Sequence, residues 1–402
     1  MADLIIKPNS ATGDKLILQD RAGGAVLTTA SSGLDSSTSI VATKTGTETL
    51  TNKTLTTPTI DSIKLTPGNT PSSPAEGQLY YDSNSNVIMI YNGNAWAQLN
   101  NTSSGGTITS YTSGSTTYRV HTFLTSGTFT PATSTAVDYL IVAGGGAGGN
   151  GMGGGGGAGG LIHNVGGTSL TLSVQSYSIV IGNGGAGTTS NITVNGSNTT
   201  AFGLTAIGGG GATSLQMQRS SSGVNGAAGG SGGGSGASDP GSGTGGAAQQ
   251  PGSFSGGYGN AGGNCTISQN YYPGGGGGGA GAAGQSPTSN TSNGGNGGAG
   301  LQVNIDGNNY YYAGGGGGDG YSSCPLSGAG GIGGGGAGSN EVGTSADGGG
   351  SARNSGGNGT SGADKSGGHG GANTGSGGGG ATWSTAPGGN GGSGIVIVRY
   401  TI

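Results

Sequence analysis

The residues able to do chemistry are few and dispersed. Of 402 residues only 6% are charged, with three histidines and two cysteines beside 105 glycines. Gly-x-Gly-x-x-Gly recurs, as polyglycine requires, but no copy follows a strand and opens a helix, so dinucleotide binding is not indicated. No phosphate-binding Gly-x-x-x-x-Gly-Lys-Ser/Thr loop exists, because Lys365-Ser366 is preceded by Asp364. Gly314 through Ser322 matches one copy of a calcium-binding nonapeptide, a site that needs tandem copies. His121, His163 and His369 have no cysteine or carboxylate at ligand spacing; His121 and His163 are expected in or beside strands rather than on a metal. A polysaccharide hydrolase would need paired carboxylates, and the acidic residues after Leu140 are scattered among loops. No Gly-x-Ser-x-Gly sequence turns from a buried strand into a helix, so a hydrolase elbow is not expected. The expectation is a protein that is not an enzyme, with no cofactor and no metal.

What remains are large side chains in the loops between glycine runs: Met217, Phe254, Tyr258, Tyr271, Tyr272, Tyr321, Leu326 and Trp383. They either cap the runs and shield backbone, or they contact a partner, since Tyr, Trp, Met and Arg are favoured at interfaces.

The element that must position these loops is the stretch from Gly144 to Gly394. Tyr139-Leu140-Ile141-Val142 precedes it and Ile395-Val396-Ile397-Val398 follows it. Such glycine content usually signals disorder. Against that, glycine recurs every third residue (Gly145, Gly148, Gly151, Gly154, Gly157, Gly160), polar loops punctuate the runs, and charge is sparse where disordered chains are charge-rich. A left-handed extended helix of three residues per turn satisfies the pattern. Its N–H and C=O groups point sideways and need partners, which neighbouring rods supply only where no side chain holds them apart. A rod bundle and a disordered spacer are the two readings. Collagen is disfavoured by 12 prolines and a register that changes at each loop.

The expected fold is mostly β and irregular, with almost no α-helix. Residues 1–30 read as two short strands, Leu4–Lys7 and Lys15–Gln19. Residues 31–75 are a Thr/Ser/Pro-rich linker or a shaft ordered only between chains. Residues 76–112 read as a small meander (Gln78–Tyr81, Val87–Tyr91, Trp96–Leu99) with Asn92-Gly93 as a two-residue hairpin turn. Residues 100–117 read as linker. Residues 113–402 form the glycine-rich domain, with base strands within 118–207, 301–312 and 395–402 and rods over 144–160 and 208–394. Ile192 and Val194 are placed in the base sheet. Continuous Ile395–Val398 implies burial on both faces. A net charge of −4 without a basic cluster excludes nucleic acid as an expected partner. No apolar run reaches the ~20 residues of a membrane span. The start lacks the pattern of a signal peptide, so synthesis in a cytoplasm is expected.

Val120–Phe129, Tyr139-Leu140-Ile141-Val142-Ala143-Gly144-Gly145-Gly146, Tyr312-Ala313 with its five glycines, and Gly391 through Tyr400 resemble the glycine-rich C-terminal domain of bacteriophage tail fibres. Gly46 through Ile60 is similar to a recurrent fibre-shaft element, and Gly77 through Trp96 to tail-fibre β-modules. The resemblance implies a homotrimeric virion tail protein made in the host cytoplasm. Its N-terminus, residues 1–30, would attach to other tail proteins. Loops at the bundle tip would bind a bacterial surface polysaccharide or protein. The alternative is a structural spacer without a receptor.

Counting reversals assigns the loops. Six runs between Ile207 and Leu301 (208–211, 223–236, 243–246, 256–263, 274–284, 293–300) put loops 212–222, 247–255 and 285–292 at the tip, and 237–242 and 264–273 near the base. Run 313–320 goes outward and 388–394 inward, so 321–327 and 381–387 are at the tip. Between them the count is odd, implying that one break between 339 and 366 is not a reversal. Met217, Arg219, Phe254, Tyr321, Leu326 and Trp383 are therefore the expected receptor-binding tip residues. Tyr271 and Tyr272 are not, and Cys265 near the base is a free thiol remote from Cys324 at the tip.

Overall fold

The computed structural model describes residues 63–83, 87–99, 102–190, 194–214, 225–237, 243–265, 272–288, 293–321 and 324–402, together with four short strands between residues 5 and 34. The chain divides into two units, Met1–Asn69 and Thr70–Ile402. In the first, β1 (Ile5–Pro8), β2 (Leu16–Gln19), β3 (Ala25–Ala30) and β4 (Gly33–Leu34) pair in sequence order. The same unit holds the two-residue β5 (Pro67–Gly68). Most of the expected shaft, residues 35–62, lies outside the described residues.

In the second unit β6 (Leu79–Asp82), β7 (Val87–Tyr91) and β8 (Trp96–Gln98) form an antiparallel meander. Tyr80 meets Trp96 edge-on at 4.5 Å. Tyr91 pairs with Trp96, so the turn is the four-residue Asn92–Ala95 rather than the two-residue hairpin of the sequence reading. Asn92 Oδ1 closes it by accepting the N–H groups of Asn94 and Ala95.

The later strands are β9 (Thr107–Ser113), β10 (Thr116–Phe123), β11 (Gly127–Phe129), β12 (Thr135–Val142), β13 (Leu161–His163), β14 (Leu170–Leu172), β15 (Tyr177–Ile179), β16 (Thr199–Ala201), β17 (Leu204–Ala206), β18 (Leu301–Gln302), β19 (Tyr311–Tyr312) and β20 (Ile395–Thr401). No helix occurs among the described residues. The base sheet runs β13-β12-β20-β10-β9, and β14 pairs with the first half of β12. Strand β20 sits between β10 and β12, so Val398 faces both His121 and Tyr139. Its side chains alternate between two cores. Val396 and Val398 join Phe123, Phe129, Val137 and Ile141 on one face. Ile395 and Ile397 join Val120, Leu140, Val142 and Tyr312 on the other. Each such side chain contributes about 1.5–3 kcal/mol on burial. Strand β9 corrects the reading of 100–117 as linker. Its Thr and Ser side chains are mostly exposed because it is an edge strand, so it carries no apolar alternation.

The glycine runs pack as three-fold rods. Gly154 and Gly157 donate to Thr213 and Gly210 of one neighbouring run. Gly155 and Ala158 donate to Gly275 and Gly278 of a second, and Gly156 and Gly159 to Gly378 and Gly375 of a third. Successive residues thus address three different neighbours and the fourth returns to the first, the signature of three residues per turn. These bonds span 2.7–3.0 Å. The need for glycine is steric: a Cβ on Gly277 would lie 1.9 Å from Gly156 O, and one on Gly154 2.5 Å from Gly234 O. Val194, expected in the sheet, instead accepts from Ala147 N–H within the bundle, and Ile192 lies outside the described residues.

Candidate functional site

Tracing hydrogen bonds from the base sheet shows which end of the bundle each loop occupies. The first hairpin leaves β12, turns at Asn150-Gly151-Met152 and returns to β13, so Met152 marks the far end. Ala237 N–H reaches Met152 O, and Ala381 N–H reaches Gly149 O. Residues 237 and 381 therefore share that end. The opposite end is marked by Ile207, Leu161 and Tyr312.

Two runs of the sequence reading contain unseen reversals. Residues 225–230 travel inward, with Ala227 on Gly211 and Gly230 on Gly208, and residues 231–237 travel back out along Ala158, Gly155 and Met152. The same happens at Ala280–Ala282, where Gly279 N–H closes on Ala282 O. Each turn is built from Gly, Ala and Ser alone, so no polar loop betrays it. Between the two turns the assignment inverts. Loop 251–257 lies at the base: Gly257 sits against Leu161, Ser255 Oγ accepts from Thr205 N–H, and Tyr258 bridges Leu161. Phe254 is thus a fully exposed base residue, not a tip residue. Tyr272, expected near the base, lies at the tip, its ring 5.8 Å from that of Tyr321. In the last third the odd count arises at Ile332-Gly333-Gly334, a base turn that needs glycine because both glycines have φ near +100°. The breaks at 341–344, 351–353 and 361–365 are all reversals: Asn340 pairs with Thr360 at the tip, and Tyr311 with Ala352 at the base.

At the far end the structure gathers Tyr321 and Trp383 with Gly151, Met152, Thr382 and Ser384 around a cleft of about 190 Å³. Trp383 is 44% exposed. Lys365 Nζ lies over its ring at 4.4 Å and is paired with Glu341 at 4.0 Å. Thr382 is anchored by Ser339 Oγ, which accepts from its N–H at 2.8 Å. Leu326 is at the same end, bridged to Thr344. Met217, Arg219 and Tyr271 lie outside the described residues. Sequence reasoning missed Met152, Lys365 and Tyr272. Met152 had a signal: it is the one large side chain between Val142 and Leu161.

Behind the cleft, Asp319 is completely buried. Its Oδ1 accepts from Gly274 N–H at 3.0 Å, whereas Oδ2 has no partner. Burial raises its pKa well above the carboxylate norm, which favours the neutral form. Both cysteines are buried free thiols, as expected, but not because they are remote. Burial, with Asp319 nearby, pushes each thiol up to about 12, and Cys265 also feels Cys324. Cys265 therefore belongs to the tip end. His121 is a core residue between Gly105 O and Tyr400 Oη, and burial lowers its pKa, as it does that of His163. No cluster of three metal-ligating side chains occurs among the described residues. The family model of the glycine-rich domain matches residues 124–370. No curated protein matches the chain.

Proposed function

The chain belongs to the glycine-rich domain family, and from that premise we propose that it is the adhesin of a phage tail fibre, binding a bacterial surface component without chemistry. The observation that carries the reading is the gathering of three aromatic rings around the far end of the bundle. The bundle interior is dominated by small residues, whereas Tyr321, Trp383 and Tyr272 collect at the end farthest from the base sheet. Rods that satisfy their own backbone groups make a stiff stalk, and stiffness lowers the entropy cost of presenting loops. In this reading the N-terminal unit attaches to the tail and the fibre is a homotrimer assembled in the host cytoplasm.

The test is binding of labelled full-length protein to a panel of bacterial strains. Selective binding is expected, reduced at least tenfold by Trp383→Ala with Tyr321→Ala and unchanged by Phe254→Ala, which alters a more exposed ring at the base. Binding to no strain, or equal loss from the base and tip variants, would leave a structural spacer as the better account.

A further inference from the structure

Resting on that reading, we infer that the cleft between Trp383 and Tyr321 is a subsite for a neutral sugar ring of a repeating surface polysaccharide, rather than for a charged group or a peptide terminus. Among the described residues the lining, Gly151, Met152, Tyr321, Thr382, Trp383 and Ser384, contains no ionisable acid or base other than the Tyr321 phenol. Burial, together with Glu341 and Asp319, raises the pKa of that phenol, so it remains a neutral O–H. Among the described residues the nearest cation, Lys365, is already engaged by Glu341 and by the Trp383 ring and does not line the cleft. A carboxylate, phosphate or ammonium would therefore be desolvated there without a counter-charge, which is costly.

The cleft instead offers apolar surface interleaved with neutral hydrogen-bonding groups. Trp383 and Met152 supply the apolar part. Of the lining residues, Tyr321 and Ser384 carry a hydroxyl and Trp383 an indole N–H. A pyranose matches this pattern, with C–H faces that lie on rings and hydroxyls at its rim. An apolar peptide side chain would fill the space but offer those polar groups no hydrogen bond. Size agrees: about 190 Å³ is below the ~300–1,000 Å³ of pockets for larger ligands, so one ring fits and an extended chain does not. Met152 adds a second indication. It holds φ at +60° beside the cleft, in a bundle where glycine is the usual residue. Such conformations cluster at ligand clamps. A single ring of about a dozen heavy atoms reaches only millimolar affinity. The biological ligand is thus a polymer whose repeats engage several copies of the site at once.

The probes are the methyl glycosides of glucose, galactose, mannose and N-acetylglucosamine, titrated into full-length protein. Saturation-transfer NMR and tryptophan fluorescence report binding, with Trp383→Phe separating the signal from that of Trp96. At least one glycoside is expected to bind with a dissociation constant on the order of 1 mM. Ser384→Ala should weaken it several-fold and Trp383→Ala at least tenfold, while Phe254→Ala changes nothing. The same sugar should compete with cell binding. If no glycoside binds while cells are still bound through Trp383, the sugar inference falls and the adhesin reading stands with a protein receptor. If cells are not bound but a glycoside is, the sugar site stands and the adhesin reading falls. Binding of a sugar phosphate in preference to every neutral glycoside would overturn the assignment of a neutral ligand.

Discussion

The base sheet and the glycine bundle are both dry interiors, held together by opposite means. In the sheet, Val120, Leu140, Ile141, Val142 and Ile397 are fully buried and the side chains make the core. In the bundle there is almost no side chain to bury. Each rod instead gives its N–H groups to three neighbours, and the distance between rods is set by hydrogen at Cα. The sheet can trade methyl groups at modest cost, because packing is spread over many contacts. The bundle cannot, because one Cβ parts two backbones and orphans groups that are individually expensive.

The largest effect should follow from Gly277→Val set against Ile397→Val. Gly277 donates to Gly316 O at 2.8 Å and accepts from Gly298 N–H at 2.8 Å, and its Cβ would meet Gly156 O. Orphaning several groups at about 1–3 kcal/mol each is a large fraction of a typical domain's stability. Loss of the cooperative bundle transition is expected in calorimetry. Ile397→Val removes one methylene from a filled core and should cost about 0.5–1.5 kcal/mol. Equal melting shifts for the two variants would refute the contrast.

The same contrast explains what the sequence disclosed. Sheet strands are written in side chains, and Tyr139–Val142 and Ile395–Val398 announce themselves. The exception is β9, whose Thr and Ser face solvent at an edge and leave no alternation. Rods are legible as glycine with a period of three. Their direction is not, because an outward and an inward rod have the same composition. Reversals show only where a loop needs polar or bulky residues. At Gly229–Ser231 and Ala280–Ala282 the chain turns with small residues alone, and these two silent turns misplaced Phe254, Tyr272 and Cys265. Tyr321 and Trp383 were placed correctly because their loops adjoin the readable strands β19 and β20. The cleft they form with Met152 required the cross-rod contacts, which no local pattern encodes.

Asp319 is where the bundle breaks its own rule by burying a carboxyl, and its effect should be intermediate and pH-dependent. Its pKa is raised by desolvation from the ordinary value of 3.8. The folded state therefore holds a proton that the unfolded chain releases. The stability contribution is complete below about pH 4 and is lost as pH rises toward the elevated folded pKa, with a slope approaching ~1.4 kcal/mol per pH unit. Asp319→Asn keeps an acceptor for Gly274 N–H and cannot ionise. Denaturant melts across pH 4 to 9 should show wild type falling relative to the Asn variant. Parallel curves would mean that Asp319 is already ionised or reached by water.

The smallest effect is expected at Gly350, and it is sharpest beside its neighbour Gly349. A Cβ on Gly349 would lie 1.8 Å from Gly331 O, whereas one on Gly350 meets nothing within 4 Å. Gly349 N–H donates to Gly335 O at 2.7 Å, inside the bundle. Gly350 only offers its carbonyl to Gly333 N–H, where the run meets the base. Its φ lies outside the left-handed region, so alanine adopts the same backbone. Gly350→Ala should stabilise by about 0.4–1 kcal/mol, because alanine narrows the unfolded ensemble without touching the folded one. Gly349→Ala carries the same unfolded-state gain but must separate two rods, so its net sign is opposite. Opposite melting shifts from neighbouring Gly→Ala variants would isolate rod spacing from glycine's chain entropy. Shifts in the same direction would show that the rods can move apart by a methyl group, and that the bundle is packed no more strictly than the sheet beneath it.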